Sequence, residues 1–148
     1  MTLVVDRAGV DDLAVLVELF DGYRQFYGQA SDPSRAKDFL GERMARGESV
    51  ILLARLDGQA AGFVQLYPIF SSVHTARVWL LNDLFVATAA RRHGVARALL
   101  SGAGDFARAD GARGLQLETG RDNIEAQQLY EACGWRRDHG SWWYTWQP

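Results

Sequence analysis

Residues 76–119 constrain the fold more than any other stretch of this sequence. The run "ARVWLLNDLFV" (76–86) is mostly apolar, the mark of a central strand covered on both faces. Residues 92–109 then set Val95, Leu99, Ala103, Phe106 and Ala107 on a single helical stripe, and Gly111 ends that helix. "GLQLET" (114–119) is the next strand. Strand, helix and strand in this order form a right-handed crossover, which makes the two strands parallel.

The flanking segments add antiparallel strands and further helices. "LVV" (3–5) is a short strand. "VDDLAVLVELFDGYRQFYG" (10–28) shows helical spacing at Leu13, Leu16, Val17, Phe20 and Tyr23, with Asp11 and Asp12 at its positive end. Pro33 opens a second helix that runs to about Arg46 and stops at Gly47. "SVILLARLDGQAAGFVQLYPI" (49–69) is a hairpin turning on Asp57-Gly58. In "RDNIEAQQLYEACGW" Asp122 is the candidate N-cap, Glu125 follows three residues later, and Gly134 is the stop. "SWWYTW" (141–146) closes the chain as an aromatic strand. The predicted order is β-α-α-β-β-β-α-β-α-β. It predicts an α/β (α+β) fold in one domain over 1–148: a mixed, mostly antiparallel central sheet with one parallel pair and helices on both faces.

Composition narrows the function classes. A net charge of −2 over 148 residues gives no overall pull toward nucleic acid or anionic lipid, so any anion site has to be local. The one cysteine, Cys133, rules out an internal disulfide and a Cys-only zinc site and suits a reducing compartment. The N-terminus reaches Asp6 too soon for a signal peptide, and no apolar run approaches a membrane span. A cytoplasmic protein without a nucleic-acid, membrane or metal partner is expected.

One segment raises a chemical question. In "ARRHGVARALL" (90–100), two arginines and a histidine precede a glycine at a helix start. The bland reading is a solvated helix end. The functional reading is an anion cradle: a helix start leaves N–H groups unpaired, its dipole is positive, and Gly94 admits a close approach. Ala96 keeps the next turn small, while Arg91, Arg92 and Arg97 add charge at the rim. A P-loop would need Gly-Lys-Ser/Thr where this chain has Gly-Val-Ala, and a dinucleotide fingerprint would need three glycines.

Two motifs carry a resemblance. "LNDLFVATAARRHGVARALL" resembles the central motif of the GNAT superfamily of N-acetyltransferases, Arg/Gln-x-x-Gly-x-Gly/Ala after a strand, at Arg91, Arg92, His93, Gly94, Val95 and Ala96. "DNIEAQQLYEACGW" is similar to the family's second motif at Asn123, Ala126, Leu129, Tyr130, Gly134 and Trp135. A proline common before the turn is Thr88 here. The resemblance covers about residues 3–146 and leans toward the polyamine acetyltransferase-like branch.

The resemblance implies the acyl-CoA N-acyltransferase fold, in which the parallel pair splays apart to admit acetyl-CoA, used as a cosubstrate without metal. The pyrophosphate would lie on the N–H groups of Arg92 through Arg97. The backbone of Leu84, Phe85 and Val86 would pair with the pantetheine arm and hold the thioester carbonyl, a form of oxyanion stabilisation. Asn123 and Tyr130, close to two helical turns apart, would meet the same ligand: Asn123 on the pantetheine arm, Tyr130 on the sulfur. A core tyrosine is the alternative for Tyr130. A tyrosine near ~10 and a thiol near ~8.5 differ by roughly 2 kcal/mol against full transfer, so a strong hydrogen bond is expected, with transfer concerted or completed by solvent.

The base stays open. Relatives carry Glu-Asp where this chain has Asn82-Asp83. Neighbouring strand residues face opposite sides, so Asp83 replaces the missing glutamate only if the strand bulges. A water chain ending at Asp83, Glu118 or a backbone carbonyl is the default, against a purely structural Asp83. Tyr23 and Tyr27 wall the acceptor pocket or pack the core, with Asn82 and Glu118 as further acceptor contacts. The implied activity is direct transfer of an acetyl group to a primary amine, with a small cationic acceptor favoured. Its rivals are a non-catalytic acyl-CoA-binding module and a protein lysine or N-terminal acetyltransferase. The aromatic content of 142–146 points to a homodimer.

Overall fold

The computed structural model describes residues 1–148. In chain order it contains β1 (Leu3–Arg7), a 3-10 turn at Val10–Asp12, α1 (Leu13–Phe26), α2 (Pro33–Ala45), β2 (Val50–Leu56), β3 (Gln59–Ser71), β4 (Ala76–Val86), a 3-10 turn at Thr88–Ala90, α3 (Val95–Asp110), β5 (Gly114–Gln116) and α4 (Ile124–Ala132). The chain divides into two compact units, 1–118 and 119–148. No helix is long and apolar enough to cross a membrane.

The first unit is one mixed sheet in the order β1-β2-β3-β4-β5. Its first four strands are antiparallel, and β5 joins β4 in parallel, as the crossover requires. Asp57 and Gly58 both take positive φ, 51° and 81°, so the β2–β3 hairpin closes on two left-handed residues. Asp57 also binds the N-terminal strand: its Oδ1 accepts the Thr2 N–H at 2.8 Å and its N–H donates to the Thr2 carbonyl at 2.7 Å.

Alternation along the strands sends side chains to two helical layers. Ile51, Leu53 and Phe63 pack with Leu16, Leu19, Phe20, Ala36 and Leu40 from α1 and α2. Leu52 and Gly62 face the other way, toward α3. A Cβ built at Gly62 would lie 3.2 Å from Val95 and 3.3 Å from Leu99, and one at Gly102 would meet Val5 at 3.0 Å. Glycine on both surfaces lets α3 press close to the sheet. Helices therefore cover both faces, as expected.

The α1–α2 connection is held by one carboxylate. Asp21 accepts from the Ser31 hydroxyl at 2.7 Å, the Asp32 N–H at 2.8 Å and the Gln25 amide at 3.0 Å. Asp32 in turn caps α2 by accepting the Arg35 N–H at 3.1 Å, with Pro33 at the first helical position.

Several element boundaries differ from the sequence expectation. Residues 141–146 form no strand, and Trp142, Trp143, Tyr144 and Trp146 are between 79% and 91% exposed. Aromatic β-propensity supplies no ladder partner, and a strand exists only through its ladder. β5 ends at Gln116 rather than at residue 119, because its pairing with β4 stops there. α3 begins at Val95 rather than at residue 92, since Arg92 (φ 65°) and Gly94 (φ 77°) are left-handed and cannot belong to the helix. The N-cap of α4 is Asn123 rather than Asp122, its side chain accepting the Ala126 N–H at 3.2 Å.

Gly62 offers a direct test of the close packing. A Cβ there would sit 2.6 Å from the Phe85 carbonyl oxygen on the neighbouring strand. Gly62→Ala is expected to lower stability by about 1–3 kcal/mol, seen as a lower urea midpoint with an unchanged slope.

Candidate functional site

The site in the first unit is built where β4 runs past its parallel neighbour. β5 pairs only with Val78, Trp79 and Leu80. From Leu81 to Val86 the strand keeps β3 on one side and has no strand partner on the other. Of Leu84, Phe85 and Val86, Phe85 turns its carbonyl toward Gly62 on β3, so Leu84 and the Val86 N–H form the free backbone edge, able to pair with an extended ligand.

In this section the strand bulges. Gln65 pairs with Asp83 while Leu66 pairs with Leu81, so Asn82 is the extra residue. The bulge sends the Asp83 side chain inward. Asp83 is 2% exposed, accepts Gln65 Nε2 at 2.7 Å on Oδ2 and accepts Asn82 Nδ2 at 2.6 Å on Oδ1. Burial pushes its carboxyl above the ordinary carboxylate range, against the lowering effect of the hydrogen bonds from Asn82, Gln65 and Tyr23. Asn82 itself is exposed, and its carbonyl accepts the Tyr23 hydroxyl at 3.4 Å.

Tyrosines surround this carboxylate. Burial raises Tyr23, and the charge of Asp83 adds to the effect. Burial and then Asp83 push Tyr67 up to about 12, partly offset by Arg43. Both hydroxyls therefore stay protonated as donors. The Tyr23 ring meets Tyr27, Phe63 and Phe85 at centroid distances of 5.1, 5.9 and 6.4 Å. Tyr27 is largely exposed. Tyr23, Asn82 and Asp83 are brought together, while Glu118 lies exposed beyond the end of β5.

The second feature is the turn before α3. Ala98 makes the first helical bond, to the Gly94 carbonyl at 3.0 Å, and Gly94 is the N-cap with no side-chain cap. The N–H groups of Gly94, Val95, Ala96 and Arg97 precede that first bond and so have no acceptor within the helix. A Cβ on Gly94 would meet nothing within 4 Å, which leaves the approach open. Arg91 Nε donates to the Val86 carbonyl at 3.3 Å, tying the turn to the end of β4. His93 Nδ1 lies 3.3 Å from the Ala90 carbonyl, a positional contact within the turn. Val95 is buried against the sheet, whereas Arg91, Arg92 and Arg97 are exposed. Geometry and charge here fit a diphosphate.

In the second unit, Tyr130 is half-buried with its ring 6.2 Å from that of Trp135. Asn123 is exposed. Its Oδ1 is engaged in capping α4, so its amide N–H₂ is the part left for a ligand. Cys133 is a half-buried free thiol.

Sequence reasoning missed Gln65 and Tyr67. Gln65 is wholly buried within "GFVQLY", and a lone amide in a central apolar strand was the available signal. Its significance appears only when the register sets it opposite Asp83.

The chain is similar to known proteins. The profile described as the acetyltransferase (GNAT) family matches residues 15–135. The uncharacterized N-acetyltransferase YhfO of Bacillus subtilis (strain 168) is 46% identical over 136 residues, 92% of this chain and 91% of that protein. A crystal structure of a probable acetyltransferase superposes with a TM-score of 0.92 at 43% identity, covering 100% of this chain and 98% of the other. An aminoglycoside N(6')-acetyltransferase type 1 of Klebsiella aerogenes is 30% identical over 103 residues, 68% of each chain.

The buried Asp83 has a consequence for stability. Its carboxyl is raised in the fold, so the folded state prefers it neutral. The stability this preference confers is present below the ordinary carboxylate value, near ~4, and is lost as pH rises through the raised value. Asp83→Asn is therefore expected to melt higher than the unmodified chain at pH 8. The gap should close on acidification below ~4, as followed by thermal unfolding across pH.

Proposed function

The chain belongs to the acetyltransferase (GNAT) family and is an N-acetyltransferase; on that premise we propose that it transfers an acetyl group from acetyl-CoA to a primary amine of a small polycationic molecule. The observation that carries this reading is the open, uncapped N-terminus of α3, where Gly94 to Arg97 turn unpaired N–H groups toward a clear approach. Bound acetyl-CoA supplies an activated thioester carbonyl and a thiolate leaving group.

The residues then divide the work. Arg92, His93, Gly94, Val95, Ala96 and Arg97 hold the diphosphate through backbone N–H groups, and Arg91, Arg92 and Arg97 add charge. The free edge at Leu84 and Val86 pairs with the pantetheine arm and offers an N–H to the acyl oxygen. Asn123 binds the same arm through its amide, and the Tyr130 hydroxyl donates to the sulfur, both on the strength of the second motif. An alkylamine near ~10.4 arrives protonated. Asp83 receives that proton by way of water, from a bulged position that substitutes for the glutamate missing at Asn82.

Tyr23 and Tyr27 supply aromatic faces for a cation, with Asn82 beside Tyr23, and Glu118 beyond the end of β5 adds negative charge. The aminoglycoside-modifying relative supports a small acceptor with several amino groups, a chemistry that polyamines share. We read 1–148 as one acetyltransferase domain. We place it in the cytoplasm, in keeping with a free Cys133, and take it as a homodimer joined through the exposed aromatics of 142–146. A sedimentation mass of a single chain would remove the dimer from this reading.

The decisive experiment is coenzyme release from acetyl-CoA over a panel of polyamines, aminoglycosides, amino acid derivatives and peptides. Turnover on the small polyamines is expected. Binding without release on any amine indicates a non-catalytic module, and release on peptides alone indicates a protein acetyltransferase. Tyr130→Phe should lower kcat about a hundredfold or more with coenzyme affinity little changed, and unaltered turnover would take Tyr130 out of the mechanism. Gly94→Val, which forces a branched side chain into a left-handed position, should weaken coenzyme binding about tenfold by calorimetry.

A further inference from the structure

Gln65 combines three properties seldom found together. It has no solvent exposure, its Nε2 donates to Asp83 Oδ2 at 2.7 Å, and its Oε1 is buried without a partner. Buried acceptors are nearly always satisfied, so this orphan oxygen calls for a cause. A hydrophobic residue would leave no orphan. A carboxamide, however, carries a donor and an acceptor on one carbon, and rotation by half a turn exchanges them.

The geometry points to Gln65 as a positioning residue that follows Asp83 through its proton cycle. With Asp83 ionised, the Gln65 amide donates to Oδ2, an arrangement that matches the 2.7 Å contact of Nε2 with that oxygen. When Oδ2 takes the proton lost by the acceptor ammonium, the carboxylic O–H becomes a donor. The carboxamide then turns over and Oε1 accepts that hydrogen. No bond between heavy atoms changes, and the proton returns to solvent after the product leaves. One hydrogen bond is kept in both states, which leucine cannot provide.

The surroundings favour such a device. Asn82 Nδ2 already occupies Oδ1, so Oδ2 is the oxygen with an adaptable buried partner. The groups facing Asp83 are Tyr23 from α1 and Tyr67 from β3, both protonated donors that do not compete for the proton, with Arg43 of α2 acting on Tyr67. Gln65 and Asp83 are register partners beside the bulge, so the strands hold them facing each other.

This inference rests on Asp83 being the proton acceptor, and the test separates the two. In the unmodified protein, the side-chain ¹⁵N resonance of Gln65 is followed by NMR across pH beside the pH profile of kcat/KM. Its shift is expected to share the midpoint of the acidic limb; a resonance that stays flat through that midpoint overturns the inference. Gln65→Leu removes the donor to ionised Asp83 and should move the limb up by about one pH unit, a tenfold loss below the midpoint. The alkaline plateau of kcat/KM and the coenzyme affinity should change little. Gln65→Glu, sharing one proton between two carboxyls, should move the limb further up. An equal loss at every pH with an unmoved midpoint shows a merely structural Gln65. Asp83→Asn serves as the separating control. If it keeps both rate and limb, the reading of Asp83 fails; if it loses the limb while the Gln65 resonance is flat, only the inference about Gln65 fails.

Discussion

Strand β4 serves two neighbours of unequal length, and the site follows from that mismatch. β3 pairs with it nearly end to end, while β5 accompanies it only from Val78 to Leu80. Beyond that point the strand is held from one side and has open backbone on the other. A sheet would ordinarily leave such an edge as a liability for association with another chain. Here it lies next to the turn at Arg91 to Gly94, linked to it by the bond from Arg91 to the Val86 carbonyl. An open stretch of backbone and an uncapped helix start thus lie side by side.

The bulge at Asn82 turns that scaffold toward chemistry. In a regular ladder the residue opposite Gln65 would continue the pairing of Leu66 with Leu81, and Asn82 would face inward. One inserted residue instead brings Asp83 to the interior, among Gln65, Tyr23 and Tyr67. Such a carboxyl is costly to ionise, which opposes stability at neutral pH. The wholly apolar alternative would be steadier and inert.

The turn before α3 departs from local rules in a similar way. Most helices begin with a side chain that covers their first N–H groups. This one begins with a glycine in the left-handed region, preceded two residues earlier by an arginine at positive φ. Strain and an uncapped end are tolerated because α3 is anchored elsewhere, by Val95, Leu99, Leu100, Ala103 and Ala107 against the sheet.

Much of this was legible in the chain itself. The apolar run at 76–86, the helical stripe from Val95 to Ala107 and the hairpin dipeptide at Asp57-Gly58 dictate periodicity and turning, which are local properties. The small-residue turn and the second motif likewise announce an acetyltransferase. Tertiary structure alone decided what depends on partners. The aromatic run 141–146 has the propensity of a strand and no ladder, and β5 is as short as its pairing with β4 allows. The bulge that carries Asp83 inward is a property of two strands in register, so no reading of "LLNDLFV" by itself could choose between Asn82 and Asp83. Gln65 shows the same limit. Its burial is written in its neighbours, but its partner lies on another strand, and long-range pairing is what a linear pattern does not encode.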